Sequence, residues 1–489
     1  MKNPLLFWFR KDLRLTDNAA LTAAAQTGQP LICVYILDED DNTPWAPGRA
    51  SRWWLQESLK SLGVSLQQHN LQLVLKRGDS VEQLKRIVNE TGADSLYFSA
   101  QYEPSAIALE QKVNTALKDQ IEVKRFKGYL LYEPNENTTA EGKPYRVFTP
   151  FYKSCLKKPP AVALPVPEEI SAHTKQIDSD DLLDWDLAIE TPTWAQEYPP
   201  IWKPGEEGAD WSLQAFMRHG VGKYTELRNR PDVFGTSRLS PHLHFGEISP
   251  RQIWNAINQF DNADSEGASS YQRELIWREF SYNLLVNWPD FPDQPFRPEF
   301  KAFPWHDDSE ALERWQQGQT GYPIVDAGMR ELLHTGWMHN RVRMIVASFL
   351  IKDLLIPWQK GEEWFWQTLL DANLASNSAS WQWVAGCGAD AAPYFRVFNP
   401  VLQGEKFDPN GDYVRQWVPE LEPLAKKFIH CPWEAPDKVL QEAGIILDGN
   451  YPSPIVDHKK ARLRALTAFD SIKKKAMTNQ PENQRRQKQ

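Results

Sequence analysis

The sequence predicts an α/β N-terminal domain, built on a parallel five-stranded Rossmann-like sheet, followed by an all-helical C-terminal domain. Three observations carry that expectation. Over residues 1–130 five short apolar runs alternate with segments of helical spacing, the pattern of strands joined by crossover helices. Over residues 206–470 the apolar spacing is helical almost throughout and strand-like runs are absent. Between them, residues 131–205 are rich in proline and poor in periodicity, as in "KKPPAVALPVPEE", which reads as an interdomain connector lying over the surface.

The elements follow in order. "PLLFWF" (4–9), "PLICVYIL" (30–37), "LQLVLKRG" (71–78), "DSLYFS" (94–99) and "IEVKRF" (121–126) read as the five strands. Segments such as "SVEQLKRIVNETG" lie between them, starting on a serine and repeating apolar residues at helical spacing. After the first strand stands "FRKDLRLTDN" and no GxGxxG, so a dinucleotide site of the dehydrogenase kind is not expected there. The last segment, 471–489, is polar and basic and is expected to be disordered.

Composition narrows the function. A chain of 489 residues exceeds one compact core. Cys33, Cys155, Cys387 and Cys431 lie far apart with no CxxC pair, which predicts a reduced, cytoplasmic protein without a disulfide framework or a zinc-thiolate site. The N-terminal apolar run is too short for a signal peptide, and no 18-residue apolar segment occurs, so no membrane association is expected. A net charge of −9 argues against a general nucleic-acid coat protein, yet leaves room for a local basic site. The 21 tryptophans exceed ordinary usage; they suit a heavily aromatic core, or stacking and electron-carrying roles.

Four stretches hold candidate chemistry. "GTSRLSPHLHFGEISPRQIW" (235–254) offers hydroxyls at Thr236, Ser237 and Ser240 before a proline that can open a helix; this is either a phosphate cradle or plain capping. His242 and His244 lack a third ligand at suitable spacing, which disfavours a metal. "SYQRELIWREFSYNLL" (270–285) puts Glu274, Trp277, Arg278 and Ser281 on one helical face, with Ile276, Phe280, Asn283 and Leu284 on another. "GWMHNRVRMIVASFLIKDLL" (336–355) has a core stripe of Val342, Ile345, Val346 and Phe349, opposed by Asn340, Arg343, Met344 and Ala347. In "LLDANLASNSASWQW" (369–383), Trp381 and Trp383 are separated by about 200° of helix, with Asn377 one turn before Trp381. Arg228, Arg230, Arg341, Arg343, Arg396 and Lys406, interleaved with Tyr224, Trp277 and Trp383, could supply phosphate contacts and stacking surfaces. No P-loop, nucleophile elbow or metal-ligand cluster is evident.

Along nearly the whole chain, "FRKDLRLTDN", "TSRLSPHLHFGEISP", "ELIWREF", "TGYPIVDAGMREL", "TGWMHNRVRM", "WQWVAGCGADAAPYFRVFNP" and "QGEKF" resemble the photolyase/cryptochrome family. The resemblance implies an FAD held in a folded form in the helical domain. It implies phosphate contacts from Tyr224 and from Thr236, Ser237, Arg238, Leu239 and Ser240, with Tyr271, Ala372 and Asn373 also at the cofactor. It pairs Arg343 with Asp371 near the flavin ring and sets Asn377 against flavin N5. Asn373 departs from relatives that carry aspartate there, which implies a shifted redox potential. Trp381, Trp358 and Trp305 match the family's electron-transfer chain, and Trp277 and Trp383 match the walls of its lesion pocket.

The same resemblance implies light-driven splitting of cyclobutane pyrimidine dimers in DNA, with the damaged pair flipped from the stack. Glu274 and Asn340 would hydrogen-bond the dimer, Met344 would pack on it, and Arg228, Arg278, Arg341 and Gln403 would contact DNA. Asn340 and Met344 stand where six-four enzymes carry histidines, which favours the cyclobutane lesion. The alternative is a blue-light cryptochrome receptor without repair. "YEPSA" (102–106) lacks the Asn-Glu pair of folate-binding relatives, which leaves a deazaflavin, a folate held by other residues, or no second antenna chromophore at all. A monomer needing no protein partner is expected.

Overall fold

The computed structural model describes residues 2–38, 45–187, 198–261, 263–390 and 395–478. One sheet is present among them, in the order β3-β2-β1-β4-β5 with every adjacent pair parallel. Its strands are β1 (Leu5–Phe9), β2 (Leu31–Leu37), β3 (Leu73–Arg77), β4 (Ser95–Ser99) and β5 (Glu122–Phe126). Each lies inside the apolar run that predicts it. The helices between them are α1 (Ala19–Gln26), α2 (Arg49–Gln67), α3 (Ser80–Thr91) and α4 (Pro104–Leu117).

The central strands are buried on both faces, so β1 reads as the unbroken apolar run Leu5–Phe9 rather than an alternation. Leu6 and Trp8 of β1, Ile32 and Val34 of β2, and Leu96 and Phe98 of β4 share one face, packed with Leu84 and Ile87 of α3 and Val113 and Leu117 of α4. Asp79, not the following serine, caps α3: its carboxylate accepts the Glu82 N–H at 2.9 Å. Charged groups fill the C-terminal ends of β1 and β4, where the strand order reverses. Arg10 Nη1 donates to Glu110 at 2.5 Å, Arg125 Nε to Glu110 at 2.7 Å, and Lys11 Nζ to Glu103 at 2.6 Å. Doubly wound folds bind nucleotides at such a point; here the strand ends carry a partly buried ion-pair network.

The chain divides into two compact units. The first gathers 1–226, 235–289 and 366–375; the second gathers 227–234, 290–365 and 376–489. The first unit therefore reaches well beyond residue 130 and takes in the described part of the connector. It contains the helix Phe148–Cys155 and short turns at Pro134–Glu136 and Leu182–Trp185. Its backbone is also satisfied by the sheet: Leu31 N donates to Ser171 O at 2.7 Å and Asp180 N to Leu75 O at 2.9 Å. The second unit is helical, and its last helix, His458–Thr478, runs through 471–478, where disorder was expected. Alanines and Ile472 bury one side of that helix, and local charge did not reveal it. The rest of the basic tail, 479–489, lies outside the described residues.

Candidate functional site

In the first unit the 235–240 segment forms a concave turn. Arg238 has φ of 53° and Leu239 follows in the right-handed region at φ −83°, ψ −2°. A left-handed residue followed by a right-handed one turns successive N–H groups toward one point, the backbone nest that receives anions. Pro241 stands in the first turn of the helix Ser240–Phe245 and costs no hydrogen bond there. The Ser237 hydroxyl, 7% exposed, takes the Tyr271 hydroxyl at 2.7 Å and the Leu239 N–H at 3.3 Å. Tyr224 meets Tyr271 edge-on at 5.1 Å. Simple capping does not need this left-handed turn, so Thr236, Ser237, Arg238, Leu239 and Ser240 suit a phosphate.

Tyr271 belongs to the helix Glu266–Asn287, which Ser265 caps by accepting the Ala268 N–H at 3.2 Å. The predicted apolar face is buried, with Ile276, Phe280, Asn283 and Leu284 all under 5% exposed. Glu274 and Trp277 are half-buried on the other face. Phe148 lies flat against Trp277, with centroids 3.5 Å apart and planes 5° apart, so the indole is fixed in orientation. Arg278 departs from the expected DNA role. Its Nη1 donates to Tyr129 O at 3.0 Å and to Glu279 at 3.3 Å, and its guanidinium lies over the rings of Tyr129 and Tyr282. The helix leaves its Cα within about 40° of Glu274, and the Tyr129 carbonyl and the two tyrosine rings draw the guanidinium inward.

Asp371, Ala372 and Asn373 form a buried segment of this unit, each at 8% exposure or less. Asn373 Nδ2 donates to the Tyr282 hydroxyl at 2.5 Å. Tyr282 packs edge-on against Tyr129, whose hydroxyl donates to Glu103 at 2.9 Å. The amide is thus a donor into a tyrosine–carboxylate network, where a carboxylate would add a second negative charge.

The second unit holds the remaining candidates. In the helix Leu374–Ala385, Asn377 Nδ2 donates to the Glu362 backbone carbonyl at 3.1 Å, and Ser378 Oγ donates to the Glu362 carboxyl at 2.5 Å. Burial pushes the Glu362 pKa well up, against the pull of the Ser378 hydrogen bond. Its other oxygen, Oε2, is buried without a hydrogen-bond partner among the described residues.

Trp381 is 2% exposed, edge-on to Phe365 at 5.0 Å and to Trp315 at 6.3 Å. A side chain at Gly361 would put its Cβ 2.0 Å from the Trp381 ring, so the indole rests directly on helix backbone. Trp358 is 1% exposed, and Trp305 is half-buried against Phe303 at 4.3 Å. Burial thus decreases from Trp381 and Trp358 to Trp305, and all three lie within this one unit. Trp383 is half-buried on the opposite side of its helix.

In the helix Asn340–Ser348 the expected stripe is buried, and it continues into a π-helix, Phe349–Asp353. Asn340 is exposed, Arg343 and Met344 are half-buried, and Arg343 Nε donates to Met338 O at 2.7 Å. Arg228 is half-buried and Arg396 exposed, with Arg396 over the Phe398 ring. Gln403 and Lys406 lie on the helix Pro400–Phe407. Arg230 is taken by Asp232, Nε to Oδ1 at 2.7 Å and Nη2 to Oδ2, and so braces its own loop. Of the HxH pair, His242 is likewise committed: its Nδ1 bonds Glu247, which also accepts the Trp54 indole N–H at 2.8 Å, whereas His244 Nδ1 is buried without a hydrogen-bond partner among the described residues.

Sequence reasoning missed Phe148, Gly361 and Glu362. Gly361 sits in "WQKGEEW", where a helical glycine between tryptophans signals close packing. Phe148 and Glu362 leave no local mark, because each acts on a residue distant in sequence.

Residues 271–471 match the family described as the FAD binding domain of DNA photolyase, and residues 5–169 match DNA photolyase. The chain is 48% identical over 96% of its length, and 98% of the relative's, to a deoxyribodipyrimidine photo-lyase of Agrobacterium fabrum. The chain belongs to the DNA photolyase family. Among other relatives of this photolyase-family chain, cryptochrome-1 of Arabidopsis thaliana is 40% identical over 94% of the chain and 69% of that protein. The crystal structure of a bacterial class III photolyase from Agrobacterium tumefaciens superposes with a TM-score of 0.93 at 47% identity, covering 97% of this chain and 98% of that one.

Proposed function

We propose that this chain repairs cyclobutane pyrimidine dimers in DNA by light, as a deoxyribodipyrimidine photo-lyase with FAD. The observation that carries the reading is near-full-length identity to such an enzyme, met by a helix that presents Glu274 beside an indole held flat by Phe148. FAD, when bound, supplies in its light-excited reduced state one electron that is returned after the two cyclobutane carbon–carbon bonds break, so the reaction is redox-neutral.

The chain's own residues do the rest. Tyr224, Thr236, Ser237, Arg238, Leu239, Ser240 and Tyr271 hold the phosphates. Arg343, Asp371, Ala372, Asn373 and Asn377 fix the ring and its hydrogen bonds. Trp277 and Trp383 stack on the dimer, Met344 packs on it, and Glu274 and Asn340 hydrogen-bond its carbonyl edge where negative charge develops. Arg228, Arg341 and Gln403 hold DNA by phosphate and gap contacts. Trp305, Trp358 and Trp381 carry electrons inward when the cofactor must be reduced. No helix among the described residues is long and apolar enough to cross a membrane. The proposed working form is a cytoplasmic monomer, and a second antenna chromophore, folate or deazaflavin, can accompany FAD.

The test is an absorption spectrum of the purified protein, then blue light on ultraviolet-damaged oligothymidine under reducing conditions. Flavin bands and dimer loss only in the light are expected. Flavin bands without dimer loss would move the assignment to a receptor.

A further inference from the structure

Every nitrogen of the Arg341 guanidinium is engaged inside the second unit. Nε and Nη2 donate to one oxygen, Asn229 Oδ1, at 3.2 and 2.7 Å. Nη1 points at Met344 Sδ at 3.6 Å, and the guanidinium carbon lies 4.5 Å from the Phe407 ring centroid. Among the described residues no acid pairs with it; burial first, then repulsion from Arg228 and Arg396, lowers its pKa. The loop that presents Asn229 is braced by the Arg230–Asp232 fork and by Arg230 N on Leu227 O at 2.9 Å.

We infer that Asn229 is a positioning residue for DNA recognition: its amide oxygen holds Arg341 extended over Phe407 while leaving the positive charge unspent. Ordering a long arginine side chain costs rotamer entropy, and fixing it before binding removes much of that cost. The choice of an amide matters. A carboxylate at 229 would hold the guanidinium as firmly but cancel the charge that a phosphate would meet. An apolar residue would leave the charge and lose the geometry. Repulsion from Arg228 and Arg396 makes the tether necessary, because without it the guanidinium would swing toward solvent. The inference rests on the proposed contact of Arg341 with DNA.

The experiment measures dark binding of the FAD-loaded protein to a short duplex carrying one thymine cyclobutane dimer, at several salt concentrations. The variants are Asn229→Leu, Asn229→Asp and Arg341→Ala, and the two double variants. Asn229→Leu is expected to weaken binding roughly fivefold with little change in salt dependence. Asn229→Asp is expected to lower the slope of log K against log salt by about one. In the Arg341→Ala background Asn229→Leu should have no further effect. A Leu variant that costs the same with and without Arg341 would show that Asn229 contacts DNA or merely supports the fold, and would overturn the inference. An Asp variant with wild-type affinity and slope would overturn it too. If Arg341→Ala alone binds like wild type, the DNA contact of Arg341 itself is wrong, a different failure that the single variant identifies. Equal flavin content and melting temperature across the set confirm that each variant is folded.

Discussion

Trp381 and Trp383 stand two residues apart on one helix and have unlike surroundings. Trp381 is 2% exposed, boxed by Phe365 and Trp315 and laid on the backbone at Gly361. Trp383 is half-buried on the other side. A helix turns by about 100° per residue, so a two-residue step gives one element a dry aromatic core on one side and a half-exposed indole on the other. The difference teaches that the number of tryptophans says little; their separation in angle and burial divides the work.

The largest effect should come from breaking the dry side. Trp381→Phe keeps an aromatic ring but raises the energy needed to remove an electron, so light-driven reduction of the oxidised flavoprotein should fall at least about tenfold, while enzyme reduced beforehand with dithionite should still repair. Transient absorption and a dimer-repair assay check the two halves separately. If pre-reduced variant also fails, the division between the two indoles is wrong. Glu274→Ala should then cut repair per absorbed photon by at least about tenfold without releasing FAD, as when a charge-stabilising group is lost from an active site. On the ligand face, Trp383→Ala should weaken binding of dimer-containing DNA by roughly 1–3 kcal/mol, the worth of one stacking surface, and leave photoreduction intact. A fluorescence titration against damaged and undamaged duplex measures it.

Gly361→Ala tests the packing itself. The new methyl carbon would stand 2.0 Å from the Trp381 ring, so the indole or the helix must move. Overpacking of this kind costs about 1–3 kcal/mol. A lower melting temperature together with slower photoreduction is expected; an unchanged melting temperature would mean that Trp381 is less closely seated than its surroundings indicate.

What was legible in the sequence follows the same division. The strands were readable because a parallel sheet buries both faces, and Leu5–Phe9 can only be an unbroken apolar run. The stripe of Val342, Ile345 and Val346 was readable because core faces repeat. Arg278 was not: spacing set it on the face of Glu274, whereas tertiary partners, the Tyr129 carbonyl and two tyrosine rings, draw it inward. The ties between Trp277 and Phe148 and between Arg341 and Asn229 span more than a hundred residues, and no local periodicity can report them. Identities of the site residues came from family motifs; their contacts came only from the fold.

The contrast between a committed interior and a poised one recurs in two buried glutamates, and it yields the smallest effect. Glu362 keeps one oxygen unpartnered among the described residues, whereas Glu279 Oε2 accepts Leu131 N at 2.8 Å and Tyr132 N at 3.2 Å while Oε1 faces Arg278. Burial nevertheless raises the Glu279 pKa to about 7, with Arg278 and the two amides pulling the other way. An unfolded glutamate titrates near 4.3, so the folded state binds the extra proton between about 4.3 and 7. Its stabilising contribution is therefore full below about 4.3 and is lost as pH rises through 7. Glu279→Gln keeps a carbonyl oxygen for the two N–H groups and cannot ionise. Relative to wild type it should gain stability from pH 5 to pH 8, read as a melting-temperature difference that grows with pH. A constant difference across that range would mean that Glu279 stays ionised in the fold, with Arg278 outweighing burial.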